Sequence, residues 1–281
     1  MKTAAALVVG VASAFQMPTT PGRPATVMHE TKADLVALCE KNPTALPFEG
    51  IWDPLGCADY NFWGLGNEAT IGYLRHAEIK HGRVAMAGFL GFCAQSTPLV
   101  AGEHIIQPYR GYVPGVTPQE QWDNIPLIGK LQILVFVGML ESYGEGAGSP
   151  AGYVHYTKGG KPGYYPPIAG QAFGQIPFDL FDPFGILPEQ SAAEKERGLF
   201  AEINNGRLAM IGLFSVLAES AVPGSNPQYK IFAVTIPPYD GNIMGSTLPL
   251  DDPFLVKLFA VLAVCGFFQQ ITNGAVPKLP K

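Results

Sequence analysis

The chain of 281 residues is 47% hydrophobic but only 15% charged, and it carries 33 Gly and 26 Pro. An average soluble domain is roughly 25% charged, so the composition argues for a small bundle of membrane helices joined by turn-rich loops, not a compact soluble core. A net charge of −5 with no basic stripe argues against nucleic acid as a partner.

In chain order, Lys2 precedes the short apolar run AAALVVGVASA, which ends at Ala14. It fits a signal peptide and is too short to span a membrane. The acid-free stretch FQMPTTPGRPATV follows. Residues 1–27 together resemble a signal plus plastid transit presequence, although this stretch alone fits ordinary secretion as well. A polar segment leads to FEGIWDPLGCADYNFWG, rich in turn formers and aromatics. The first long helix is expected over about 68–95. A Pro/Gly/Tyr loop follows, and PLIGKLQILVFVGMLESYG predicts a second, apolar helix over 126–143. Past a loop containing GGKPGYYPPIAG, Ser191 with Glu194 three residues on forms a capping signature. It opens a third helix over 191–220, which VPGSNP stops. The C-terminal extension, 223–281, contains FLVKLFAVLAVCGFFQQI at 254–271. That run is apolar nearly all round, and the Lys/Arg clusters at 158–161, 195–197 and 278–281 would share one side with the N-terminus if it crosses a membrane. A fourth span is the expectation. The four cysteines show no metal-ligand spacing, which argues against structural zinc. A Cys39–Cys57 disulfide stays open.

The chain repeats itself. Residues 77–89 and 201–213 agree at eight of thirteen positions, AEIKHGRVAMAGF against AEINNGRLAMIGL. WDPLG precedes the first copy and FDPFG the second. On a helix, Glu78 and His81 lie about 60° apart, with Gly82 and Ala85 close to the Glu78 direction. Glu202, Asn205, Gly206 and Arg207 take the matching places. A lone charge near the bilayer centre costs on the order of 2.5–3.5 kcal/mol. Pairing Glu78 with Arg207 and Glu202 with Arg83 across a helix crossing removes all four. His81 and Asn205 are not needed for neutrality, and both are Lewis bases. They stand too far apart to close a protein-only zinc site. Each could hold a magnesium ion whose other positions a macrocycle fills. Spacing alone leaves a structural lock, an ion pathway and a cofactor ligand all open.

The motifs EIKHGRVAM and EINNGRLAM, with their D-P-x-G approaches, resemble the two signature helices of the light-harvesting chlorophyll-binding protein family. The presequence, the Tyr/Gly/Pro loops and FDPFG are similar to the chlorophyll a/c antennae of red-lineage algal plastids, of fucoxanthin or peridinin type. The resemblance implies an all-α membrane protein with three transmembrane helices, the first and third crossed as a pseudo-twofold pair, and a candidate fourth helix at 254–271. Residues 28–222 would form the chlorophyll-binding domain. Glu78, His81, Glu202 and Asn205 would each hold a chlorophyll magnesium. Glu219, fourteen residues past Asn205, and Gln132 and Glu141 in the middle helix are further ligand candidates.

Implied cofactors are chlorophyll a, chlorophyll c and a fucoxanthin- or peridinin-type carotenoid. Implied partners are a photosystem core, with photosystem I favoured, neighbouring antenna proteins and thylakoid lipids. The function is light harvesting in the plastid thylakoid membrane, without enzymatic turnover. Its rivals are a photoprotective quenching member of the same family and a membrane transporter lined by the Glu/Arg pairs. His76 and His104 read as surface or loop histidines, with pigment binding as the alternative. Trp52, Phe62, Trp63 and the Tyr-rich loops read as carotenoid contacts or interfacial aromatics. The departure from the family is the long C-terminal extension.

Overall fold

A computed structural model describes residues 30–42, 51–147, 152–169, 177–186, 190–231 and 235–241. Residues 1–27, where a presequence is expected, and the apolar run at 254–271 lie outside the described residues. Among the described residues the regular structure is all helical, with no strand.

Seven α-helices follow in order: α1 (Lys32–Lys41), α2 (Asn67–Gln95), α3 (Pro98–Ala101), α4 (Pro118–Asn124), α5 (Leu127–Gly144), α6 (Ala192–Ala221) and α7 (Pro227–Ile231). Capping boxes start three of them: Thr31 with Asp34, Thr117 with Glu120, and Ser191 with Glu194. Each closes two orphan amides at a helix start. Helix α2 has 29 residues and α6 has 30, so both run to roughly 45 Å.

Helices α2 and α6 cross where the two motifs meet, because glycine removes the side chains that would hold them apart. A Cβ placed on Gly206 would lie 2.9 Å from the Gly82 Cα, and one on Gly82 would lie 3.0 Å from the Gly206 Cα. The backbones therefore touch, as small-residue patterns permit in membranes. Further along, Gly88 faces Leu213 and Gly212 faces the Phe89 ring.

The two D-P-x-G turns fold alike. Asp53 accepts from the amides of Cys57 and Ala58, and Asp182 accepts from the amide of Ile186. Gly56 and Gly185 follow with φ of 64° and 61°, a left-handed conformation that suits residues without a Cβ. The structure gives the aspartates of both copies a structural task.

One end of the molecule gathers α1, both turns, the start of α6, the end of α5 and the loop at 152–169. The tyrosines of that loop serve the end of α5. Tyr165 donates to the Leu140 carbonyl at 2.9 Å, Tyr153 donates to the Gly144 carbonyl at 2.8 Å, and Tyr143 of α5 donates to the Pro167 carbonyl. Helix ends leave carbonyls without partners, and the Tyr153 hydroxyl satisfies one of them, that of Gly144. At the opposite end Gln119 of α4 bonds Ser220, while Tyr239 reaches Asp123 through its hydroxyl and the Ser220 carbonyl through its amide. Tyr239 thus ties residues 235–241 to the end of α6.

Cys39, Cys57 and Cys93 are free thiols, which answers the open question of a Cys39–Cys57 bridge.

The core is small. Among the described residues nine apolar side chains other than proline are buried, while Leu208, Ile211 and Phe214 of α6 are 68, 69 and 74% exposed. Helix α5 is the one described helix long and apolar enough to cross a membrane by length and composition. Its buried residues are Lys130, Tyr143 and Gly144, all toward its ends, so the apolar middle meets little protein. Apolar surface on this scale needs a non-aqueous cover.

Candidate functional site

The motif glutamates and arginines meet at the crossing. Arg207 Nε donates to Glu78 Oε1 at 2.7 Å and Arg83 Nε donates to Glu202 Oε1 at 2.5 Å. The second nitrogen of Arg83 also donates to the Gly163 carbonyl at 2.7 Å, fastening the 152–169 loop to the crossing. A further guanidinium joins: Arg75 Nη1 donates to Glu78 Oε2 at 2.6 Å. The signal for it in the sequence was the i, i+3 spacing of Arg75 and Glu78 on one helix face.

His81 lies on the outer face of α2 and is exposed. Its Nδ1 sits 2.8 Å from the Ala77 carbonyl. A carbonyl only accepts, so Nδ1 is the donor in this contact. That is the arrangement of a metal-ligating histidine, with one ring N–H fixed on the backbone and the other nitrogen offered outward. Asn205 takes the matching place on α6 and is likewise exposed. The exposed apolar residues Val84 and Leu208 stand on the same helices.

The third position of each motif ties the crossing to a different neighbour. Asn204 forms a reciprocal amide pair with Asn42, just past α1. Lys80, its counterpart, reaches α5 instead and donates at 2.8 Å to both Glu141 and Glu145. Glu141 thus shares the Lys80 charge with Glu145.

Glu145 is the centre of a second network. Its side chain is 5% exposed. It accepts from Lys80, from His155 Nε2 at 3.0 Å and from the Tyr156 hydroxyl at 2.9 Å. Burial would raise its carboxyl, but the hydrogen bonds from His155 and Lys80 and the Lys80 charge outweigh that and push it down to about 2. A depressed carboxylate stabilises the fold above its unfolded value of 4.5 and loses that contribution as pH falls toward 2. The 152–169 loop should therefore resist proteolysis at neutral pH and open progressively below pH 4.5. In Glu145→Gln it should already be cleaved at neutral pH, and equal protease sensitivity of the two proteins would contradict this.

His76 belongs to this network and corrects its reading as a surface histidine. It is buried, stacks on the Tyr156 ring with centroids 4.0 Å apart, and accepts the Gly163 amide at Nδ1. His104 is exposed, its Nε2 3.1 Å from the Val100 carbonyl.

Two ligand candidates sit differently. Glu219 has both oxygens engaged in the turn after α6, accepting from the amides of Gly224 and Asn226 and from the Ser225 hydroxyl. It locks that turn, and the turn supplies the partner that the sequence did not identify. Gln132 is exposed on α5.

Among the described residues no three His, Cys, Asp or Glu side chains converge on one metal position. The polar groups stand singly on apolar helix faces, a donor set that fits magnesium already held by a macrocycle, where one axial ligand completes the site.

Residues 41–221 match the family described as Chlorophyll A-B binding protein. The chain belongs to that family. Among curated relatives it is similar to light-harvesting complex stress-related protein 3.2 of Chlamydomonas reinhardtii, 30% identical over 79% of this chain and 78% of the relative. It is 29% identical to a fucoxanthin-chlorophyll a-c binding protein of Trieres chinensis, over 79% of this chain and 95% of the relative. Fucoxanthin-chlorophyll a-c binding protein E of Macrocystis pyrifera is 28% identical, over 66% of this chain and 76% of the relative.

Proposed function

We propose that the chain is a light-harvesting antenna protein of the plastid thylakoid membrane. It would bind chlorophylls and carotenoids and pass excitation energy to a photosystem. The observation that carries this reading is His81, exposed within the repeated motif and with its Nδ1 proton held on the Ala77 carbonyl. Helices α2, α5 and α6 span the membrane, with α2 and α6 related by a pseudo-twofold axis through Gly82 and Gly206, and the apolar run 254–271 of the C-terminal extension is the candidate for a fourth span. Residues 28–222 act as the pigment-binding domain.

Glu78, His81, Glu202 and Asn205 hold chlorophyll magnesium, with Glu141 and Gln132 as ligands on α5. Glu219 takes the structural task described above. Bound chlorophyll a, chlorophyll c and a fucoxanthin- or peridinin-type xanthophyll supply light absorption and excitation transfer. The protein's own residues would hold each ring through one side-chain ligand to its magnesium, fix its orientation through helices locked at the crossing, and keep water off the apolar faces. Photosystem I is the favoured core partner, on the long loops and the added C-terminal segment. The transporter reading is disfavoured because the four charges close on one another beside touching backbones.

A photoprotective role within the same family is the second reading, on the likeness to a relative named as stress-related. A chlorophyll fluorescence lifetime sharply shortened by acid would favour it, and an unchanged lifetime would favour harvesting.

His81→Leu should lose about one chlorophyll per protein while helicity and melting stay as in the parent. Pigment extraction with chromatography measures the first and circular dichroism the second. Full pigment retention would remove His81 from the ligand set.

A further inference from the structure

The two motifs read as equals in sequence, one guanidinium for each glutamate. In the structure they are unequal. Glu202 gives Oε1 to Arg83, and no other hydrogen bond reaches its carboxylate among the described residues. Glu78 has both oxygens engaged, Oε1 by Arg207 and Oε2 by Arg75.

Arg75 is no casual surface neighbour. It is 9% exposed, and Glu30 backs it, with Oε2 3.5 Å from Arg75 Nε. The repeat offers nothing equivalent, since the residue matching Arg75 in the second copy is Leu199. Two arginines and two glutamates balance around Glu78, while one of each balances around Glu202.

Magnesium is a hard cation that favours charged oxygen ligands. A carboxylate oxygen in a short charge-assisted bond to a guanidinium donates electron density less well to a second cation. Glu202 therefore presents an open oxygen, and Glu78 presents one already shared.

We propose that Arg75 is a positioning residue that makes the two glutamate ligand sites unequal, so that Glu202 holds its chlorophyll tightly and Glu78 holds its own loosely. Glu30 sets the degree. By drawing Arg75 toward itself it relieves Glu78 Oε2, and without it the whole guanidinium bears on Glu78. The inference rests on the antenna reading and adds an order of affinity to its ligand set.

The test is pigment retention through a detergent titration of the purified protein, with chlorophyll per polypeptide counted after extraction. The parent should lose the Glu78 chlorophyll at lower detergent than the Glu202 chlorophyll. Glu78→Gln and Glu202→Gln assign the steps, each moving its own. Arg75→Gln should move the early step to higher detergent, Arg75→Lys should move it less, and Glu30→Gln should move it to lower detergent. A purely structural Arg75 would shift both steps downward together in Arg75→Gln, and that result would overturn the proposal. So would shifts of one sign in Arg75→Gln and Glu30→Gln. If Arg75→Gln does not fold, Glu30→Gln decides alone, and an unmoved early step rejects the idea. Failure of the antenna reading looks different, as no variant would carry chlorophyll at all.

Discussion

Arg83→Leu is expected to be the most damaging single change at the crossing, and to exceed Arg207→Leu. By sequence the two arginines are interchangeable, and either deletion leaves a bare glutamate. The structure separates them. Without Arg83, Glu202 loses its one guanidinium, and the 152–169 loop loses the bond at the Gly163 carbonyl. A lone charge at membrane depth costs about 2.5–3.5 kcal/mol, and a lost hydrogen bond adds about 1 kcal/mol. Without Arg207, Glu78 still holds Arg75, so the carboxylate is not left bare and about 2 kcal/mol is expected for the lost charged hydrogen bonds. Thermal melts followed by helical circular dichroism in detergent compare them. Equal melting losses would mean that Arg75 does not compensate.

Gly206→Leu should open the crossing. The first carbon alone falls 2.9 Å from the Gly82 Cα, and the obstacle is backbone, which cannot rotate aside. Overpacking costs typically 1–3 kcal/mol, and this site lies at the upper end because both ion pairs flank it and stretch as the helices part. Pigments held on both helices should be lost together, unlike the single loss expected for His81→Leu. Gly212→Ala is the control. Its added carbon meets the Phe89 ring at 3.3 Å, and a side chain can give a few tenths of an ångström. Similar melting points for the two variants would show that the close approach at Gly82 and Gly206 is not what holds the pair.

What was legible in the sequence was what repeats. The doubled motif made the reciprocal charges readable because neutrality in a membrane leaves few other pairings. The glycines named the contact point, since small residues on the glutamate side mark where backbones approach. What stayed hidden was what breaks the repeat. Arg75 and Leu199 occupy one motif position, as do Lys80 and Asn204, and a search for similarity passes over both differences. Their partners, Glu30, Glu141, Glu145 and Asn42, lie on elements that only the folded chain brings near. The histidine of the Glu145 network was misread for a related reason. His76 looks like any polar residue near a helix start until the 152–169 loop closes over it. Glu219 was weighed as a ligand because the turn that engages it has no periodicity to announce it.

The central claim is that these helices carry pigments that pass energy among themselves. The most direct measurement is the fluorescence excitation spectrum of the protein purified in mild detergent, read at the chlorophyll a emission band. Carotenoid and accessory-chlorophyll bands in that spectrum are the expected result. A folded, colourless and non-emitting protein would contradict the account and leave the paired charges as a lock alone.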